Sequence, residues 1–179
     1  MNKNDIFLAK TTLNLLKSKN WQEIKIEDYK SSSKKKLKKS KNDLLKNINF
    51  YIDYLLKKEI VALEESSTKD MLFEVMMTRF DIIQKYRKSF LSLFNSFKFK
   101  PQKIIILLAP FLESMILMAS LADIRIKGLN GQLIIKGIFI IYIATFYVWL
   151  NDDSESLEKT MTALDNYLEK AIKLWNYKY

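Results

Sequence analysis

Seven of the twelve residues from Lys30 to Lys41 are lysine (Lys30, Lys34, Lys35, Lys36, Lys38, Lys39 and Lys41), and none of the twelve is acidic. Clustered ammonium groups do one kind of chemistry well: they neutralise phosphate. Binding of that kind falls by about 0.9 log unit per contact for each log unit of salt. Residues 1–60 carry 15 lysines against seven acids, a net of +8, whereas residues 61–179 are nearly balanced at +2. A basic end on an otherwise neutral chain suits an anion polymer such as DNA, or an anionic membrane surface. A solvated basic face with no specific partner is the third reading, because lysine replaces arginine through most of the chain.

Other reactive groups are few. The chain has no histidine and no cysteine. Imidazole acid–base chemistry, thiol nucleophiles, disulfides and Cys/His metal sites are thereby excluded. No Gly-rich phosphate loop is present. Asp152, Asp153 and Glu155 could be read as an acid–base or metal cluster, but carboxylates also suit the start of a helix. Glu113 lies in the apolar stretch Leu107 to Leu121. It would meet a ligand's polar end, pair with Arg79 or Lys136, or face solvent beside Ser114. The expectation is a protein that is not an enzyme, with no cofactor and no metal.

The elements that position these groups are helical. An apolar fraction of 49% supports a core, while three glycines and two prolines cannot supply the turns of a sheet fold. The expected fold class is all-α, with about eight helices. Asp5 to Lys17 reads as an amphipathic helix, followed by a plug of Trp21, Ile24 and Ile26. Lys34 to Lys39 would form a short helix, and Ser40 would cap the next, with Asp43 in its first turn. Glu64 to Asp70 reads as a linker. Met71 to Tyr86, then Phe90 to Phe97 as a continuation or a separate helix, then Pro101 to Leu121 follow. Asp123 to Asn130 reads as a loop, Leu133 to Leu150 as the most apolar helix, and Ser154 as the cap of the last. The boundaries are 1–60 for a basic helix-turn-helix-like domain and 61–179 for an apolar helical domain. Gly137 to Leu150 is an uninterrupted apolar run of 14 residues, short of the ~20 that span a bilayer. No integral membrane span and no signal peptide are expected, and a cytoplasmic location follows.

Four stretches carry a family resemblance. Leu15 to Asp28 (LLKSKNWQEIKIED) resembles helix 1, the aromatic plug and the start of helix 2 in the TetR family of transcriptional regulators. Ser40 to Leu45 (SKNDLL) resembles the start of that family's helix 4. Leu72 to Arg87 (LFEVMMTRFDIIQKYR) and Val148 to Leu168 (VWLNDDSESLEKTMTALDNYL) resemble the C-terminal domain of a subgroup common in alphaproteobacteria. The resemblance implies an N-terminal helix-turn-helix, an apolar ligand-binding and dimerisation domain, and a homodimer. The contacts to DNA would come from Ser31, Ser33, Lys34, Lys35, Lys36, Lys38, Lys39 and Lys41. The family's usual small residue–Gly turn between helices 2 and 3 is missing. Lysines stand where Arg, Asn, Gln or Thr would read base edges, which implies phosphate contact rather than sequence reading.

The C-terminal pattern is also similar to that of a TetR-fold lipid-binding lineage, the accessory protein of ubiquinone biosynthesis, which does not bind DNA. Trp149, Asp152-Asp153-Ser154 and Leu164-Asp165 fit that lineage as well. Either resemblance implies an apolar small molecule or lipid in the C-terminal domain. The candidate lining is Met76, Phe80, Ile83, Phe94, Glu113, Met118, Phe139 and Tyr142. Methionine and aromatic side chains suit such a ligand, and they equally suit plain helix packing.

Overall fold

The computed structural model describes residues 1–32, 39–60, 66–98 and 101–176. Among the described residues there are seven α-helices, one 3-10 helix and no strand. The fold is all-α. The helices are α1 (Lys3–Leu15), α2 (Lys41–Glu59), α3 (Thr68–Gln84), α4 (Arg87–Phe97), α5 (Pro101–Leu121), α6 (Gly128–Leu150) and α7 (Glu158–Asn176), with the 3-10 helix Ile26–Ser32 between α1 and α2. Of the short helix expected over Lys34 to Lys39 only Lys39 is described, outside any helix; of the expected Glu64 to Asp70 linker, Glu64 and Glu65 lie outside the described residues, while Thr68 to Asp70 form the first turn of α3 rather than a linker.

Local chemistry accounts for the starts. Asn2 caps α1, its side chain accepting from the Asp5 amide at 2.8 Å. Ser40 and Asp43 form a reciprocal cap on α2. The Asp43 amide donates to the Ser40 hydroxyl at 3.2 Å and the Ser40 amide to the Asp43 carboxylate at 3.1 Å. Ser67 and Asp70 share the first turn of α3 in the same way, with the Asp70 amide 3.1 Å from the Ser67 hydroxyl. Each such cap is worth about 1 kcal/mol. Tyr86, at φ −116° and ψ 21°, leaves helical geometry. Phe90 to Phe97 therefore belong to a helix separate from α3.

The chain divides into two compact units. Residues 1–55 and 82–111 form the first, and residues 56–81 and 112–179 form the second. This differs from the linear boundary at residue 60. Helices α2, α3 and α5 each contribute residues to both units, so α4 and the first half of α5 belong with the N-terminal residues. The cause is helix length: one continuous helix carries apolar side chains for two cores.

In the first unit the core gathers Leu8, Leu13, Trp21, Ile24, Tyr29, Leu44, Ile48, Tyr51 and Phe97, all buried. Burial of each such side chain is worth about 1.5–3 kcal/mol. The Trp21 and Phe97 rings lie 6.1 Å apart. The Trp21 amide donates to the Ser96 hydroxyl at 3.1 Å, and the Ser89 hydroxyl donates to the Leu13 carbonyl at 2.6 Å. The expected plug of three residues is a plug of two, since Ile26 is 43% exposed at the start of the 3-10 helix. Pro110 lies inside α5, where it removes one helical donor, and its carbonyl accepts from the Asn49 side chain at 3.0 Å.

In the second unit Val75, Met76, Phe80, Met115, Met118, Trp149 and Leu164 have essentially no exposed surface. Helix α6 begins at Gly128, earlier than the Leu133 expected, with Gly128 at φ +61°. At 23 residues it is the one described helix long and apolar enough to cross a bilayer, by length and composition alone. A core helix passes the same test. Here Ile138, Tyr142, Thr145 and Trp149 of α6 are buried in the protein.

Candidate functional site: a framed basic segment and an apolar groove

The lysine-rich segment is held at both ends by the first unit. On its N-terminal side Tyr29 is 1% exposed. The Thr12 hydroxyl spends its single proton on the Leu8 carbonyl at 2.7 Å, so the Tyr29 phenol donates to Thr12 at 2.8 Å. Burial pushes the Tyr29 phenol up from its ordinary value, against the lowering effect of the Thr12 bond. One residue earlier, the Asp28 carboxylate accepts from the Lys19 ammonium at 2.7 Å and from the Lys25 amide at 2.8 Å. These bonds, that of Lys19 first, hold the Asp28 carboxyl below its usual range. On the C-terminal side stands the Ser40–Asp43 cap.

Two of the lysines expected at DNA have partners inside the chain. Lys39 pairs with Asp5. The Lys41 ammonium donates to the Gln22 carbonyl at 3.1 Å and lies 5.3 Å from the centre of the Trp21 ring. Both help join the start of α2 to the α1 side of the unit. Ser33, Lys34, Lys35, Lys36 and Lys38 lie outside the described residues, as does the Ser31 side chain.

The expected ligand-lining residues are divided between the two units. Ile83 and Phe94 belong to the first unit, the other six to the second. Met76, Phe80, Met118 and Tyr142 are at most 3% exposed and serve as core. Phe80 stacks on Tyr142 with ring centres 5.2 Å apart. The Arg79 guanidinium, 2% exposed, lies over the same ring, donating to the Tyr142 hydroxyl at 3.2 Å and towards the Ser114 hydroxyl at 3.5 Å. Phe139 is half-buried. Glu113 is exposed, and it is its neighbour Ser114 that turns inward to Arg79.

The apolar concavity lies elsewhere in the second unit. A groove of about 580 Å³ is lined by Ile134, Gly137, Ile138 and Ile141 of α6 and by Leu168, Ala171 and Ile172 of α7. Leu72 and Ile124 complete its walls, and Ser67, Thr68 and Lys69 form a polar rim at the start of α3. This is within the size range of small-molecule sites, about 300–1,000 Å³. None of these residues belongs to the expected ligand-lining set. The available signal was the spacing Ile134, Gly137, Ile138, Ile141, one helical face with a gap in it.

A different face of α6 is exposed among the described residues. Leu129, Leu133, Ile140, Ile143 and Tyr147 are 42 to 79% exposed. With Lys136 they follow one another at steps of four and three residues, the spacing of a helix–helix seam.

The acidic cluster is structural. Asp152 is fully buried. It accepts from the Ser154 amide at 3.2 Å and hydroxyl at 2.6 Å, and from the Thr160 amide and hydroxyl at 2.8 Å each. Burial pushes its carboxyl up, but these four bonds outweigh burial and hold it at about 2. The Ser154 hydroxyl accepts in turn from the Glu158 amide at 3.1 Å, as expected of a cap. Leu157, just before α7, takes a left-handed backbone at φ 54° and buries its side chain. Asp153 and Glu155 are exposed, and no group of three acidic side chains among the described residues has metal-binding geometry. Among the resemblance residues, Trp149 and Leu164 are core, and Asp165 pairs with Lys69 at 2.5 Å.

No protein-family model matches the chain, and no curated protein matches its sequence.

Proposed function

We propose that the chain is a TetR-like DNA-binding regulator, homodimeric and cytoplasmic, whose first unit contacts DNA phosphates and whose second unit dimerises and takes an apolar ligand. The observation that carries this reading is the framing of the lysine-rich segment. Tyr29 is buried and bonded on one side, and Ser40 caps α2 on the other. A highly basic segment whose two flanks are tied to one packed helical unit suits a regular phosphate array. Lys34, Lys35, Lys36 and Lys38 are the phosphate contacts of this reading. Lys39 and Lys41 brace the unit through Asp5 and Trp21. The α6 seam would join two copies and present two basic units to two half-sites. A ligand preferring one arrangement of the dimer would shift it towards or away from the DNA-competent state.

Fluorescence anisotropy with a duplex from the protein's own upstream region tests this. Four lysine–phosphate contacts in each of two subunits, eight in all, give a slope of about −7 in log K against log salt, or about 20,000-fold between 50 and 200 mM. Changing Lys34, Lys35, Lys36 and Lys38 to Gln should flatten the slope by most of that amount. Equal, weak binding by wild type and variant would defeat the reading. The apolar groove favours a second reading, a TetR-fold lipid-binding accessory protein without DNA contact. In that case the duplex is not bound, and native mass spectrometry of protein from cells finds a retained lipid.

A further inference from the structure

The geometry points to the groove between α6 and α7 as a binding site for an uncharged, single-chain aliphatic molecule with a neutral polar head, and against fatty-acid anions. This deepens the ligand half of the proposed function and rests on that half alone, since DNA contact by the first unit can fail without altering the groove.

Three observations determine the class of occupant. The first is shape and lining. The groove has about 580 Å³ of space, and its walls are aliphatic from Leu72 and Ile124 through Ile138 and Ile141 to Leu168 and Ile172. Among the described residues no aromatic side chain lines it, so a flexible chain fits these walls better than a flat ring system, which would gain from stacking. The second is Gly137. A Cβ built on it meets nothing within 4 Å, so the missing side chain leaves room in the wall without serving any close packing inside the chain. Gly137 is not at a left-handed φ, and glycine in a helix interior is otherwise a cost.

The third is charge at the rim. Lys69 is the ammonium that lines the groove. Its Nζ is already 2.5 Å from the Asp165 carboxylate. Asp70 and Glu169 add negative charge around it, and Glu169 is itself paired with Lys173 at 2.6 Å. Three carboxylates thus share two ammonium groups. A fatty-acid carboxylate would have to displace Asp165 and face the remaining acids, a rejection by like charge. A hydroxyl head meets the Ser67–Thr68 rim without that penalty.

The seam of a second copy is not the occupant. The groove residues of α6 (Ile134, Gly137, Ile138, Ile141) and its exposed seam (Leu129, Leu133, Ile140, Ile143, Tyr147) are centred about a third of a turn apart on the helix. A partner helix on the seam leaves the groove open.

The test uses a fluorescent dye carried at the end of an uncharged alkanol chain, 12-NBD-amino-dodecanol, bound to the protein and displaced by hexadecanol or by palmitate at neutral pH. Hexadecanol should displace the dye at about tenfold lower concentration than palmitate. Gly137→Phe, which fills the groove from α6, and Ala171→Phe, which fills it from α7, should each weaken dye binding about tenfold or more. Thermal melts run alongside should show Gly137→Phe melting no lower than wild type, which separates a blocked groove from an unfolded one. Displacement by palmitate as effective as by hexadecanol would overturn the ligand class. Undiminished dye binding in both folded variants would overturn the site. The salt-dependent DNA titration reads the first unit, so its failure is distinguishable from either result.

Discussion

Replacing Asp152 by Asn should destabilise the protein by about 2 kcal/mol at pH 7, and the loss should vanish in acid. The magnitude follows from the four donors that converge on this buried carboxylate from Ser154 and Thr160. They hold its pKa at about 2 against an ordinary 3.8. A gap of just under two units corresponds to about 2 kcal/mol of preference for the ionised form in the folded state. Because the folded pKa is the lower one, this stability is fully present above about pH 4. It is lost as pH falls through 4 towards 2, where the native carboxylate takes up its proton. Asn keeps the size of the side chain but turns an amide NH₂ towards one pair of donors, leaving a backbone N–H near the start of α7 without an acceptor.

Urea titrations followed by circular dichroism, at intervals from pH 7 to pH 2.5, check this. Wild type should exceed Asp152→Asn by a factor of about 30 in its folding equilibrium at neutral pH. The two curves should converge at the acid end. Asp153→Asn is the control, since that neighbour is exposed and the change should stay within about 0.5 kcal/mol. A gap between wild type and Asp152→Asn that stays constant from pH 7 to 2.5 would refute the linkage argument. A gap below about 0.5 kcal/mol at neutral pH would refute the role of Asp152 as the anchor of α7.

Two further outcomes are expected. Ile140 and Tyr147 are each 66% exposed on the α6 seam, so Ile140→Asp with Tyr147→Asp should halve the mass seen by sedimentation velocity while helicity is retained; unchanged mass would remove the seam as the dimer contact. Two glycines of α6, Gly131 and Gly137, should respond with opposite signs to alanine. At Gly131 a Cβ would stand 2.5 Å from the Ile126 carbonyl carbon, so Gly131→Ala should lower stability by about 1–3 kcal/mol. At Gly137 it meets open space, so Gly137→Ala should raise stability by about 0.5–1 kcal/mol, both read from thermal or urea melts.

The parts of the fold legible in the sequence are those decided by a few adjacent residues. Ser40 with Asp43, Pro101, and Ser154 ahead of Glu158 marked helix starts, because capping is a contact between residues three or four apart. Periodicity gave the buried stripe of α2, since Leu44, Ile48, Ile52 and Leu56 return to one face every turn. The division into two units was not legible. It is set by which long helices run on from one core into the other, and the α3 stripe from Leu72 to Ile83 has no break to mark that its last residues join a different core. The buried role of Arg79 was equally hidden, because it depends on Tyr142 and Ser114, which are 63 and 35 residues away.

The candidate site was hardest to read where the chain is most apolar. Helix α6 is hydrophobic on every side, so its sequence period distinguishes no face. Yet the folded helix has three: Tyr142, Thr145 and Trp149 in the core, Ile134, Gly137, Ile138 and Ile141 along the groove, and Leu133, Ile140 and Tyr147 facing outward. A helix that needed only to fill a core would not leave three large apolar side chains exposed. Nor would it interrupt its wall with a glycine that relieves no close contact. Those two departures, one on each non-core face, separate the roles that an apolar run alone cannot. Under the proposed function, recognition by the second unit would fall to α6 rather than to the methionine and aromatic residues of α3, which are buried as framework.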